Sequence, residues 1–207
     1  KGVRKTNLMP MCFSSKILFY SNVRIEIGYF DRPGGMRECH AVLHVTDTEA
    51  PLAKQLGDIK EICDLVHPHI GIVTAVGAMH LESFKTMENV QRTKFELADA
   101  LPADGLAVVN NDFELCASRP VANCAAMRYA VSSPDVVAEN IVYTPQGTAF
   151  TAAWRDGHRL DLETRLVGES NISNLLAAVA VARHLGMDDS RIQYAVTRIE
   201  QVEHRLS

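Results

Sequence analysis

Residues 68–109 constrain the fold most, because a strand, a helix and a second strand follow one another with clear stops. After Pro68, residues 70–76 form a short apolar run rich in β-branched side chains, the pattern of a strand covered on both faces. Residues 86–101 carry helical periodicity and are stopped by Pro102 and Gly105. Leu106-Ala107-Val108-Val109 is the second buried run, ending at Asn110-Asn111-Asp112. Strand, helix and strand at this spacing make a βαβ unit, which implies a parallel sheet and a right-handed crossover. Ligands bind such sheets outside the carboxyl ends of the strands. The stretch after Val76, Gly77-Ala78-Met79-His80-Leu81-Glu82, therefore falls where a functional loop belongs.

The neighbouring segments extend this pattern. Asp58 is placed to cap a helix, with Glu61 completing a capping box and Ile59, Ile62, Cys63 and Val66 as its buried stripe. Residues 127–131, 137–143, 149–154 and 160–166 read as short strands around the turn signals Pro145-Gln146-Gly147 and Asp156-Gly157. A helix is expected over 174–185, ended by Gly186, and another is capped by Asp188 or Asp189 and carries Ile192, Val196 and Ile199. In the first 56 residues, 9–20 and 41–45 read as strands and Asp31-Arg32-Pro33-Gly34-Gly35 as loop. The expected class is α/β, a mostly parallel sheet with flanking helices plus a small β-rich section. The 207 residues are read as a single domain.

Composition narrows the partners. A net charge of −4 and a pI near 6.1 give no electrostatic case for nucleic acid. No apolar run approaches the roughly 18 residues of a membrane span. Lys1, Arg4 and Lys5 do not lead into the apolar core of a secretory signal, so the cytoplasm is expected. Cys12, Cys39, Cys63, Cys116 and Cys124 are scattered and include no Cys-x-x-Cys pair, against a disulfide framework or a thiolate zinc site. Cys39 with His40 and His44 lacks a second ligand pair.

Four places stand out chemically. Val90, Lys94, Leu97 and Leu101 fall on one helical face. Lys94 is either a snorkelling side chain whose ammonium escapes to water, or a desolvated amine of lowered pKa with a function. His80 is either an ordinary satisfied histidine or a metal ligand at the sheet's ligand edge. Asn171 and Asn174 bracket the start of an apolar helix; capping explains one, and an adenine edge would satisfy the other. Lys5-Thr6 resembles the end of a phosphate-binding loop, or is simply part of a basic terminus.

Together these segments resemble the central domain of the Mur ligases, most closely the MurF type. The resemblance covers about residues 53–206: Gly57-Asp58-Ile59, the segment from Thr74 to Glu82, Lys94-x-Glu96-Leu97, Asn110-x-Asp112, Asn171-x-x-Asn174 and His204-Arg205-Leu206. MurE and the folylpolyglutamate synthases usually carry Asp before the histidine, where this chain has Met79.

The resemblance implies an ATP-dependent amide ligase of peptidoglycan precursor synthesis. It would join D-alanyl-D-alanine to UDP-N-acetylmuramoyl tripeptide through an acyl phosphate, with Mg²⁺ neutralising charge. It makes His80 a magnesium ligand, with Thr6 at the same metal. Lys94 matches the lysine that CO₂ carbamylates in relatives, giving an anion that helps hold metal. Lys5 and Thr6 match the phosphate loop, Asn171 and Asn174 the adenine contacts, and Arg205 a contact near the ribose and phosphates.

Several departures accompany the resemblance. Against a loop reading approximately Gly-Ser-x-Gly-Lys-Thr, this chain has Lys1-Gly2-Val3-Arg4-Lys5-Thr6, with neither glycine in place. The family's magnesium-binding Glu falls at Ala50, with Glu49 one residue out of register. The family's N-terminal UDP-substrate domain and C-terminal domain find no counterpart here. Divergence and a change of coding frame upstream of Ala53 both fit so abrupt an onset. Two other readings stay open: a non-catalytic remnant that binds a nucleotide or a partner protein, and a generic doubly wound binding domain.

Overall fold

The chain divides into two compact units, Lys1–Met127 and Arg128–Ser207. The structure, a computed structural model, describes residues 16–20, 23–31, 37–45, 55–77, 84–131 and 135–199, with side chains from residue 55 on except residue 66.

In the first unit, β1 (Lys16–Tyr20), β2 (Val23–Asp31) and β3 (Arg37–Val45) form an antiparallel meander, with Tyr20 opposite Val23 and Asp31 opposite Arg37. Only the second half of the expected strand 9–20 lies within the described residues, and β3 begins four residues before the strand expected from Ala41. β2 is an element the sequence reading lacked. Its Val23, Ile25, Ile27 and Tyr29 alternate with Arg24, Glu26 and Gly28, the period-two pattern of a strand.

The expected βαβ unit follows. α1 (Asp58–Val66), β4 (Ile70–Val73), α2 (Met87–Asp99), β5 (Leu106–Asn110) and the short α3 (Glu114–Ala117) come in that order. β4 pairs in parallel with both β3 and β5, with Ile70 opposite Val42 and Leu106. Every residue of β4 and β5 is buried, as a sheet covered on both faces requires. β4 stops at Val73 rather than Val76. Residues 74–77 continue past the end of the ladder, with Thr74 and Val76 still buried.

The start of α1 differs from the expected capping box. Gly57 takes the cap position at φ 104°, so Asp58 is already helical and its carboxylate accepts from the Gln55 N–H at 3.1 Å. The orphan amides of this helix end are met from a distance instead. Glu96 on α2 accepts from the Gly57 N–H at 2.6 Å and from the Lys60 N–H at 3.0 Å.

α2 begins where expected, with the Thr86 hydroxyl accepting from the Asn89 N–H at 3.3 Å. Val90, Leu97 and Leu101 are buried as its stripe requires, but Thr93, Phe95 and Ala98 are buried as well. The reason is that α2 packs on β4 with one side and on α1 with another. A Cβ at Gly71 would lie 2.8 Å from Leu97 Cγ, so helix and strand approach as closely as glycine allows. At the far end of α2, Asn123 Nδ2 donates to the carbonyls of Ala98, Asp99 and Leu101 at 3.1, 3.2 and 2.8 Å. Asn123→Ala leaves these carbonyls without that donor and is expected to cost about 1–2 kcal/mol in urea unfolding followed by far-UV circular dichroism; no change would mean that water replaces the amide.

The second unit holds the β-rich section. β6 (Ala125–Ala130), which begins just before the division, pairs in parallel with β7 (Val136–Thr144). β8 (Gly147–Trp154) and β9 (Arg159–Thr164) continue antiparallel from β7. All four expected strands are present with ends shifted by a few residues. α4 (Glu169–His184) packs on β7, and α5 (Asp189–Thr197) on β9. α4 begins five residues before the expected Asn174, directly after Gly168 at φ 104°. It ends as expected: Gly186 is left-handed, its N–H donates to Arg183 at 2.9 Å, and the Met187 N–H donates to Ala182 at 3.0 Å. Asp188 caps α5 through the Arg191 N–H at 2.9 Å, and Ile192 and Val196 are buried. The fold is α/β: a parallel core flanked by helices, with a small β-rich section.

Candidate active site

In the first unit, Lys94 projects from α2 toward the residues that continue β4 beyond its carboxyl end. Its Nζ donates to the Ala75 carbonyl at 3.0 Å. Burial pushes its pKa from 10.5 down to about 8, and the neighbouring Cys116 offsets this in part. An amine in this state is unprotonated for a large part of the time near pH 8, which is the form that attacks CO₂. Lys94 is thus half-buried and hydrogen-bonded inward. That favours the desolvated amine over the snorkelling side chain.

At the end of β5, Asn110 is buried and its Oδ1 accepts from the Asp112 N–H at 2.9 Å. This side-chain turn directs the chain out of the sheet, leaves Phe113 exposed and brings α3 back with Cys116 fully buried. Glu96 was not expected to bear on this region. Lys94 and Glu96 lie about 200° apart around α2, so the glutamate reaches α1 while the lysine reaches the β4 end. Its neighbours on that face, Arg92, Thr93, Asp99 and Ala100, are mostly polar, so the sequence carries no signal for this contact.

In the second unit, neither Asn171 nor Asn174 caps a helix, because α4 has already begun at Glu169. The Asn171 Nδ2 donates to the Val167 carbonyl at 2.8 Å, and Asn174 is exposed. Three residues apart, the two share one face of α4, to which the exposed Ala178 also belongs. Asn174 therefore needs no buried partner.

Lys5, Thr6, His80 and Arg205 lie outside the described residues. Among the described residues, no group of three His, Cys, Asp or Glu side chains is placed to hold a metal ion. Cys63 is buried in the core with its thiol pushed up to about 12 by burial, the behaviour of a packing residue. Among the described residues, no helix is long and apolar enough to cross a membrane.

Comparison with known proteins agrees with this architecture. The model of the Mur ligase middle domain matches residues 52–182. The UDP-N-acetylmuramoyl-tripeptide--D-alanyl-D-alanine ligase of Escherichia coli is 30% identical over 158 residues, 74% of this chain and 35% of the relative. The UDP-N-acetylmuramate--L-alanine ligase of Dictyoglomus turgidum is also 30% identical, over 141 residues, 67% of this chain and 30% of the relative. A crystal structure of MurF from Acinetobacter baumannii superimposes with a TM-score of 0.67 at 27% identity, covering 75% of this chain and 34% of that one. A MurF ligase from Thermotoga maritima, solved in complex with ADP, shares the fold with a TM-score of 0.63 at 21% identity, over 72% of this chain and 35% of that one. The chain spans about a third of the length of the curated relatives it matches. The match covers well over half of the chain, and its strand–helix–strand core is the one described above: this chain belongs to the Mur ligase family, through its middle domain.

Proposed function

We propose that this chain is the central ATPase-type domain, over residues 1–207, of an ATP-dependent amide ligase of peptidoglycan precursor synthesis. The observation that carries the reading is Lys94, a half-buried amine held at 3.0 Å from the Ala75 carbonyl beyond the carboxyl end of β4. Such an amine adds to CO₂, forming a C–N bond and releasing one proton to give a carbamate anion. Burial of this amine fits that modification, because it keeps the neutral form available.

In the proposed reaction the γ-phosphoryl group of ATP passes to a peptide carboxylate, and an incoming amine then displaces phosphate to leave the amide, ADP and phosphate. His80, Thr6 and carbamylated Lys94 are the residues we assign to magnesium, which when bound would neutralise charge on the transferred group. Lys5 and Thr6 would bind phosphates, Asn171 and Asn174 adenine, and Arg205 the ribose end of the nucleotide. On α4, the exposed amide of Asn174 is free to pair with a base edge without disturbing the helix.

Within the family we favour the MurF type, acting in the cytoplasm on UDP-N-acetylmuramoyl tripeptide and D-alanyl-D-alanine. Met79-His80-Leu81-Glu82 supports that choice, as does the likeness to the Acinetobacter baumannii structure. A chimaera carrying the flanking regions of a MurF relative tests it. Phosphate release is expected with the tripeptide substrate and D-alanyl-D-alanine, and not with UDP-N-acetylmuramate and L-alanine; the opposite preference would overturn the assignment.

A second reading is a non-catalytic remnant binding a nucleotide or a partner, favoured by Arg4 standing where the phosphate loop expects glycine. Calorimetry on the 207-residue chain and ligation by the chimaera together separate the two. Magnesium-dependent ATP binding at millimolar concentration or tighter, together with loss of ligation in a Lys94→Ala chimaera, supports the ligase. No heat of binding would remove the nucleotide from the account.

A further inference from the structure

We propose that Glu96 is a positioning residue: by clamping α2 to the first turn of α1, it sets where the ammonium of Lys94 lies. The inference deepens the reading of Lys94 given above. Its carboxylate accepts at 2.6 Å from the Gly57 N–H and at 3.0 Å from the Lys60 N–H, using one oxygen for each. A bidentate contact of this kind resists rotation of α2 about its own axis, whereas a single bond would act as a pivot.

The other restraints on α2 act differently. The close seat of Leu97 over Gly71 fixes the distance between helix and strand, and Asn123 holds the carbonyl end of the helix. Gln91 donates to the Leu115 carbonyl at 2.6 Å and Asp99 accepts from Arg119, but the Glu96 carboxylate holds two amides at once, on the side facing away from Lys94. A turn of about 15° would carry an ammonium roughly 7 Å from the axis through about 2 Å. That is enough to break its 3.0 Å bond to the Ala75 carbonyl. A misplacement of that size at a reacting group costs orders of magnitude in rate. The clamp also joins two segments far apart in the chain, Gly57-Asp58-Ile59 and Lys94-x-Glu96.

Acylation by acetic anhydride at one fixed pH, read by mass spectrometry on the folded chain, tests the proposal. The rate at Lys94 is taken relative to the exposed Lys85. Glu96→Ala is expected to raise that ratio at least fivefold, as the amine swings away from the Ala75 carbonyl. Glu96→Gln, of nearly the same shape, offers one acceptor but turns an N–H toward the second amide; it is expected to raise the ratio at least twofold. Should Glu96→Ala not fold, Glu96→Gln decides alone. A folded variant reacting at the wild-type ratio overturns the proposal, and so does a raised ratio that grows with urea too dilute to unfold the chain, because that growth marks reaction through transient opening rather than a displaced amine. The reading of Lys94 as a carbamate fails by a different result, the absence of a carbamate resonance in wild-type protein equilibrated with ¹³C-bicarbonate. The acylation ratio does not depend on that outcome.

Discussion

Lys94→Met is expected to make the chain more stable at pH 7, by about 1–3 kcal/mol, while cutting ligation in the chimaera at least about 100-fold. The stability gain follows from what burial does to the ammonium. In the unfolded chain the group titrates near 10.5, and in the folded chain near 8. Below pH 8 both states carry the proton, and the folded state bears the full cost of a charge withdrawn from water. Between about pH 8 and 10.5 the unfolded state binds more protons, so stability rises with pH. Above that range the cost is gone. The interval corresponds to at most about 3 kcal/mol, and solvent contact at a half-buried amine reduces it.

Urea unfolding of both proteins at pH 7 and at pH 10.5 measures this difference. The methionine variant is expected to lead at the lower pH and to lose most of its lead at the higher. An unchanged lead would show that the ammonium is solvated in the fold. Keeping a lysine that weakens the fold makes sense where its amine has a task.

Gly147→Ala is expected to remove about 3–5 kcal/mol and to unfold the second unit well before the first. Gly147 sits at φ 148°, and a Cβ there would lie 1.9 Å from the Thr164 carbonyl oxygen. That oxygen is backbone of the neighbouring β9 and cannot swing aside as a side chain can. Relief would have to come from parting β8 and β9 where Thr148 pairs with Thr164 and its hydroxyl donates to the Leu166 carbonyl at 2.7 Å. The single tryptophan, Trp154 on β8, reports on this unit alone by fluorescence. Gly157 is the control: it is also left-handed, at φ 89°, but has nothing within 4 Å of its Cβ position. Gly157→Ala should cost only about 1 kcal/mol. Equal losses at the two sites would show that conformation, rather than contact with Thr164, governs Gly147.

Local chemistry accounts for what could be read in advance. Pro68, Pro102 and Gly105 punctuate the βαβ core: β4 and α2 fall between Pro68 and Pro102, and β5 follows Gly105. Thr86, Asp188 and Gly186 act at helix ends as their side chains or backbone freedom predict. Part of what could not be read depended on partners distant in the chain. Asp58 and Glu61 form a sound capping box on paper, yet Gly57 and Glu96 supply the cap. Asn171 resembles a cap until Gly168 is seen to start α4 earlier. β2 is hard to read from the sequence because its alternation of Val23, Ile25, Ile27 and Tyr29 with Arg24, Glu26 and Gly28 is short. At the site, the inward set of Lys94 was legible from spacing. Its bond to Ala75 and the hold exerted by Glu96 were not, since both depend on how α2 docks.

Because α1 borrows its cap from a residue 39 positions later, its first turn cannot be completed while a nascent chain ends short of α2. A helix of 9 residues has little standing of its own in water. During synthesis α1 should therefore wait, fraying, until α2 has left the ribosome and closed over it. The two helices would then enter the native state as one cooperative step, and the amide protons of Gly57 and Lys60 should exchange with solvent at the pace of α2 rather than of a helix end.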